Sequence, residues 1–236
     1  MCRLALINQK GINYLRKNYD LLNFLDYLEA SFGGHGNGFA IVTKDKEIIF
    51  DKGVKLDNMD IVEAIEKNYK NIDWFFYHTR LASKGKISNS NCHPFIYQNK
   101  ILAMNGTEQV RISGRITDTE TIFNFLNHFM VDLADGTKIF NSVFIGYNGE
   151  QVFANRNKGS LQYLHIPNSK NIFIFASEFS NEFYKGKNKV YNMPDTWIEG
   201  EKINVKDLKI SQLKKKNNIV NSYGNIYKYG DLEWIY

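Results

Sequence analysis

The sequence predicts an α+β fold with largely antiparallel sheets, on three observations. Apolar runs of strand length recur at residues 2–8, 39–43, 47–50, 73–77, 101–104, 142–147, 151–154, 161–165 and 172–176. Helical spacing is concentrated at 18–32, 60–69 and 118–130. The order is therefore blocks of strands and helices, without the strict alternation of a parallel sheet. With 43% apolar and 14% aromatic residues in 236, the chain can fill one substantial core, and we expect one domain over 1–236, with its core at about 2–205 and an aromatic-rich extension over 206–236.

The elements follow in order. Residues 2–8 (CRLALIN) read as a buried strand, and 18–32 place Leu21, Leu22, Phe24, Leu25 and Leu28 on one helical face. GGHGNG (33–38) ends that helix. Strands 39–43 and 47–50 flank the polar turn Lys44-Asp45-Lys46 as a hairpin, and a helix follows over 60–69. The strand at 73–77 delivers His78-Thr79-Arg80 to its C-terminal end, where a long polar loop begins; a loop of that length in a compact domain marks function or disorder. After the strand at 101–104, Thr117 or Asp118 caps a helix running to 130. Four strands then come in close succession, and a short helix is expected near Ser177. The tail NSYGNIYKYGDLEWIY, with four tyrosines and a tryptophan, is too apolar for a disordered segment and reads as a terminal strand or hairpin.

Bulk properties exclude several function classes. Nowhere do 18 apolar residues run together, and the N-terminus lacks the sections of a secretory signal, so a soluble, cytoplasmic protein is expected, with no membrane partner. Two cysteines without CxxC spacing make neither a disulfide framework nor a zinc site, and the five histidines are too dispersed for ligand spacing; no metal and no cofactor are expected. The net charge of +5 comes from scattered lysines, Lys214-Lys215-Lys216 being the tight basic run, and no interleaved aromatics stand near it, so no nucleic-acid partner is expected. GGHGNG follows a helix and precedes a strand, the reverse of a phosphate-binding turn. Cys92-His93 does not make a catalytic dyad, because adjacent residues on an extended strand point to opposite faces.

Cys2 raises a different possibility. Removal of an initiator methionine before a small residue leaves Cys2 with a thiol and a free α-amine on one carbon, a nucleophile with its own base. Three further pieces follow in order: HTRLASKGKISNSNCHPF (78–95), MNGTE (104–108) and TDTETI (117–122). Together the four resemble the class II glutamine amidotransferases, which are N-terminal-nucleophile (Ntn) hydrolases. That family typically shows Met-Cys-Gly-Ile, HTRWATHG with an Asn-Ala-His-Pro-like stretch, His-Asn-Gly, and Ser/Thr-Asp-Thr-Glu. GGHGNGFAIV (33–42) and FIFASE (173–178) are similar to two further family elements, so the resemblance spans roughly residues 2–180. Any one piece is common; their order and spacing are the signal.

The resemblance implies a four-layer αββα sandwich and a stand-alone glutaminase domain that hydrolyses L-glutamine to glutamate and ammonia. It also implies roles. Cys2 is the nucleophile and its amine the acid/base. Asn105 supplies a side-chain N–H, and Gly106 a backbone N–H, to the oxyanion hole. Arg80 holds the substrate α-carboxylate with help from the Ser83 hydroxyl, Asp118 holds the α-ammonium, and His78 and His93 belong to the pocket wall. Ammonia would pass to an acceptor on a separate synthase subunit. Arg3, Leu81, Lys84 and Met104 depart from the family's usual glycine, tryptophan, histidine and histidine, and Lys84 and Met104 bear on the acceptor more than on amide hydrolysis. Two other readings stay open: a catalytically silent Ntn-fold binding or assembly module, and an amidase for another γ-glutamyl amide.

Overall fold

The structure, a computed structural model, describes residues 2–110, 116–169 and 171–211, and the backbone of 219–220 and 226–227. Seven strands form the larger sheet, in the spatial order β11 (Lys189–Asn192), β9 (Gln162–His165), β10 (Ile174–Ala176), β1 (Arg3–Asn8), β4 (Ile72–Thr79), β2 (Asn37–Thr43) and β3 (Ile48–Gly53). The second sheet orders β12 (Thr196–Ile198), β8 (Val152–Arg156), β7 (Val143–Tyr147), β6 (Lys100–Asn105) and β5 (Phe95–Tyr97). Pairing in both sheets is antiparallel.

Strand alternation sorts the side chains into three packed interfaces. Leu4, Leu6, Ala40, Val42, Trp74 and Phe76 meet Ile101, Ala103, Val143 and Ile145 between the two sheets. Their neighbours Ala5, Ile7, Ile41 and Phe75 turn the other way. There they pack on Ile12 and Leu15 of α1 (Gln9–Asn18), Phe24 and Leu25 of α2 (Leu21–Phe32), and Ile61 and Ile65 of α3 (Asn58–Asn68). On the outer face of the second sheet, Leu102, Met104, Phe144 and Phe153 cover Ile122, Phe123 and Leu126 of α4 (Asp118–His128), with Leu133 and Ala134 of α5 (Leu133–Gly136). The layers are helix, sheet, sheet, helix, so the fold is the αββα sandwich expected. Each fully buried Leu or Phe contributes roughly 1.5–3 kcal/mol by removal from water, which makes these interfaces the main source of cohesion.

Local differences have local causes. The segment read as one helix over 18–32 holds the end of α1 and all of α2, which meet at Tyr19 and Asp20. The Asn8 side chain accepts from the Gly11 N–H at 2.9 Å to start α1, and Asp20 accepts from the Asn23 N–H at 3.1 Å to start α2. The apolar signal of α1 is thin because Ile12 and Leu15 are its buried large apolar residues. Gly11 weakens it further, yet a Cβ there would press on Ile7, Ile174 and the Phe173 carbonyl, so glycine lets the helix lie close to the sheet. The strands β5, β11 and β12 are too short to show a period. Around Ser177 the chain stays irregular, and a single helical turn comes later, at Asn181–Tyr184. In the tail, β13 (Ile219–Val220) and β14 (Ile226–Tyr227) pair antiparallel, and the remainder of that expectation lies outside the described residues. Among the described residues no helix is long and apolar enough to cross a membrane.

Asn8 Oδ1 accepts from Phe173 N–H at 3.1 Å as well as capping α1, which ties a helix start to the residue that precedes β10. Asn8→Ala should therefore cost about 1–2 kcal/mol, read as a lower urea midpoint, and Asn8→Asp, which keeps the acceptor, should cost less.

Candidate active site

The register of β1 against β4 sets the site. Arg3 pairs with Thr79 and Leu4 with His78, so one position further on Cys2 comes beside residues 80 and 81. The Leu81 N–H donates to Cys2 Sγ at 3.4 Å, and the sulfur lies 3.6 Å from the Leu81 carbonyl oxygen. Cys2 shares its face with Leu4 and Leu6, Arg80 with Trp74 and Phe76, and Asn105 with Ile101 and Ala103, which are the residues packed between the sheets. Ser177 joins the two layers at this end. Its hydroxyl accepts from the Leu4 N–H at 3.0 Å and from Asn105 Nδ2 at 3.2 Å, and its own N–H donates to the Leu4 carbonyl at 2.9 Å.

Loops close around these strand ends. Arg80 is buried, and its fork donates to the carbonyls of Lys86 (3.0 Å) and Lys84 (2.8 Å), curling the loop after β4 around the guanidinium. The Arg80 backbone bonds the GGHGNG segment through Gly36 O and His35 N–H, and His35 Nδ1 accepts from the Ala82 N–H at 2.9 Å. Gly36 has φ +119° and lies so close to Cys92 Sγ that a Cβ would not fit, so two requirements for glycine coincide there. Ser83 Oγ meets Thr107 Oγ1 at 2.8 Å and Lys84 Nζ donates to the Glu108 carbonyl, so the loops after β4 and β6 clasp each other. Gly106 packs against Ser142, whose hydroxyl donates to the Glu108 carboxylate.

Asp118 opens α4, and the cap itself is Thr117, whose hydroxyl accepts from the Glu120 N–H at 3.1 Å. That leaves the buried Asp118 carboxylate to accept from the N–H groups of Glu108 (2.8 Å) and Thr119 (3.1 Å).

Burial pushes the Cys2 thiol above its ordinary value; the Leu81 N–H and the Arg80 charge pull it down, and Asp118 pushes it up. The sulfur thus feels the charges of both Arg80 and Asp118, and at neutral pH it is a thiol. His78 and His93 lie behind the end of β6. His78 Nε2 is 3.1 Å from the Met104 carbonyl and 2.8 Å from His93 Nδ1. A carbonyl only accepts, so one of the two ring nitrogens beside it carries a proton and the other accepts from its neighbour. Burial pushes His78 down to about 3 and His93 well below its ordinary value, so both are neutral.

The structure thus gathers Cys2, Arg80, Asn105 and Asp118 at one end of the sandwich, places Ser83 on an exposed loop facing Thr107, and sets His78 and His93 behind the Met104 carbonyl. The Met104 side chain points into the α4 layer, away from Cys2. The structure adds Ser177 and Glu108 to the site, through contacts with distant segments that no local sequence pattern marks. Among the described residues no three His, Cys, Asp or Glu side chains gather to hold a metal ion.

No family model matches the chain. Among curated proteins it is similar to the glutamine–fructose-6-phosphate aminotransferase (isomerizing) of Helicobacter pylori, 24% identical over 207 residues, covering 82% of this chain and 34% of that protein. Among solved structures it is similar to the glutamine phosphoribosylpyrophosphate amidotransferase of B. subtilis, with a TM-score of 0.51 and 13% identity, covering 92% of this chain and 50% of that one. A structure described as the allosteric regulatory enzyme of purine biosynthesis gives a TM-score of 0.50 and 15% identity, covering 84% and 48%. The chain spans about a third of the length of the curated relative and about half of these solved chains. Its fold is that of the class II glutamine amidotransferases, the family its ordered motifs resemble.

The neutral histidine pair gives stability a pH dependence. Unfolding returns both rings to about 6.5, so between that value and the depressed folded values the unfolded chain binds more protons and stability falls as pH drops. Below pH 6.5 the loss should approach about 1.4 kcal/mol per pH unit for each histidine. Urea midpoints at pH 7 and pH 5 should show it, with a flatter response in His93→Asn.

Proposed function

We propose that this chain hydrolyses the side-chain amide of free glutamine, with Cys2 as nucleophile once Met1 is removed, and that the ammonia passes to an acceptor on a synthase partner. The observation that carries this reading is the placement of the Cys2 sulfur beside the Leu81 N–H and within electrostatic reach of Arg80 and Asp118. Asn105 is held at the same end by Ser177.

The chemistry follows from those positions. A thiol kept protonated by burial needs a base, and a free α-amine with a pKa of about 7.7–8.0 is poised to accept its proton. The sulfur adds to the carboxamide carbon, and the negative charge on the carboxamide oxygen is met by Asn105 Nδ2–H and the Gly106 N–H. On collapse the C–N bond breaks, and the proton held by the amine leaves with ammonia. Water then cleaves the thioester, releasing glutamate and restoring the thiol.

Selectivity for a free amino acid falls to the charged groups. The remaining N–H groups of the Arg80 fork take the α-carboxylate, with the Ser83 hydroxyl beside it, and Asp118 takes the α-ammonium. His78 and His93 act as wall, fixing the Met104 carbonyl and with it the strand end that presents Asn105.

Ammonia release from glutamine by protein whose intact mass shows loss of Met1 tests this reading, with Cys2→Ala expected to abolish turnover. Equal release by the native and Cys2→Ala proteins overturns it. Asn105→Ala should lower kcat about 10²- to 10³-fold. Arg80→Ala should chiefly raise KM, because ground state and transition state share the carboxylate contact.

A further inference from the structure

We propose that Arg3 is a positioning residue for Cys2, an inference that rests on the glutaminase reading above. Arg3 follows the nucleophile where the resembled family carries glycine, and the residue is only 7% exposed. Its guanidinium is engaged on several sides. Nη1 donates to the Cys2 carbonyl at 3.0 Å, and Nε donates to Ser31 Oγ at 3.1 Å and lies 3.3 Å from Glu178 Oε1. The planar group also stacks 4.3 Å over the Phe32 ring.

These partners make a fixed seat. Ser31 and Phe32 end α2, and the Ser31 hydroxyl donates onward to the Leu28 carbonyl at 2.8 Å. Glu178 directly follows Ser177, which holds both Leu4 and Asn105. Arg3 alternates with Cys2 along the strand, so it grips the Cys2 carbonyl from the helix side while the thiol faces the space between the sheets. A residue whose amine is free has no preceding peptide to orient it. Holding the carbonyl fixes the peptide plane, and with it the Cα and the axis about which thiol and amine turn, so the Leu81 N–H contact with Sγ can select one orientation. Glycine offers no such hold, and a lysine ammonium lacks the planar fork needed to meet carbonyl, hydroxyl and ring together. Glu178 balances the guanidinium charge, so Arg3 acts on orientation and leaves the titration of the amine and thiol in place.

The test measures glutamine hydrolysis by full-length, Met1-processed Arg3→Ala and Arg3→Lys, beside wild type and Cys2→Ala, across pH. Arg3→Ala should lower kcat about tenfold or more at a KM within about twofold, with the pH profile unmoved and Arg3→Lys intermediate. A wild-type kcat in Arg3→Ala, or a shifted pH profile, overturns the positioning role while the glutaminase reading stands. If Arg3→Ala fails to fold, Arg3→Lys decides by the same kcat and KM criterion. Should wild type release no more ammonia than Cys2→Ala, both readings fall.

Discussion

The antiparallel register between β1 and β4 is the constraint on which the rest of the structure depends. Arg3 opposite Thr79 and Leu4 opposite His78 put Cys2 next to Leu81 and Arg80. A slip of one residue would exchange the two faces of β1, sending the thiol into the helix layer. The register is firmly held because both strands are buried on both sides. Leu4, Leu6, Trp74 and Phe76 pack against the second sheet, and Ala5, Ile7, Phe75 and Tyr77 against the helices, so any shift would misplace large side chains in two cores at once.

Around that register the polar groups are distributed by depth. The thiol and the two histidines lie where burial favours their neutral forms. The charged groups Arg80 and Asp118 stand at the strand and helix ends, already held by carbonyl and N–H partners of the clasped loops. Such engagement holds both side chains in one orientation. Arg3 and Glu178 pair on the helix side of β1, where their charges offset one another.

Much of this was legible in the sequence, for identifiable reasons. The blocks of strands and helices carried the fold class, and Cys2, His78-Thr79-Arg80, Asn105-Gly106 and Asp118 stood out because their order and spacing matched a known arrangement. What stayed hidden depended on contacts between distant segments. Ser177 gains its place from Leu4 and Asn105, and Glu108 from Ser142 and Asp118, none of which a local pattern reveals. Helix α1 hid behind a glycine needed for close packing, and β5, β11 and β12 were too short for periodicity. Asp118 was legible only as a cap or a ligand contact, and Thr117 holds the cap.

The bridge made by Ser177 also orders events in time. Leu4 and Ser177 are separated by 173 positions in the chain, so β1 leaves the ribosome long before the residue that fastens it to the opposite sheet. Until then the strand that carries Cys2 has no link through Ser177 to Asn105. The end of the sandwich that carries Cys2 and Asn105 is joined only when β10 docks beside β1 and brings Ser177 to both layers.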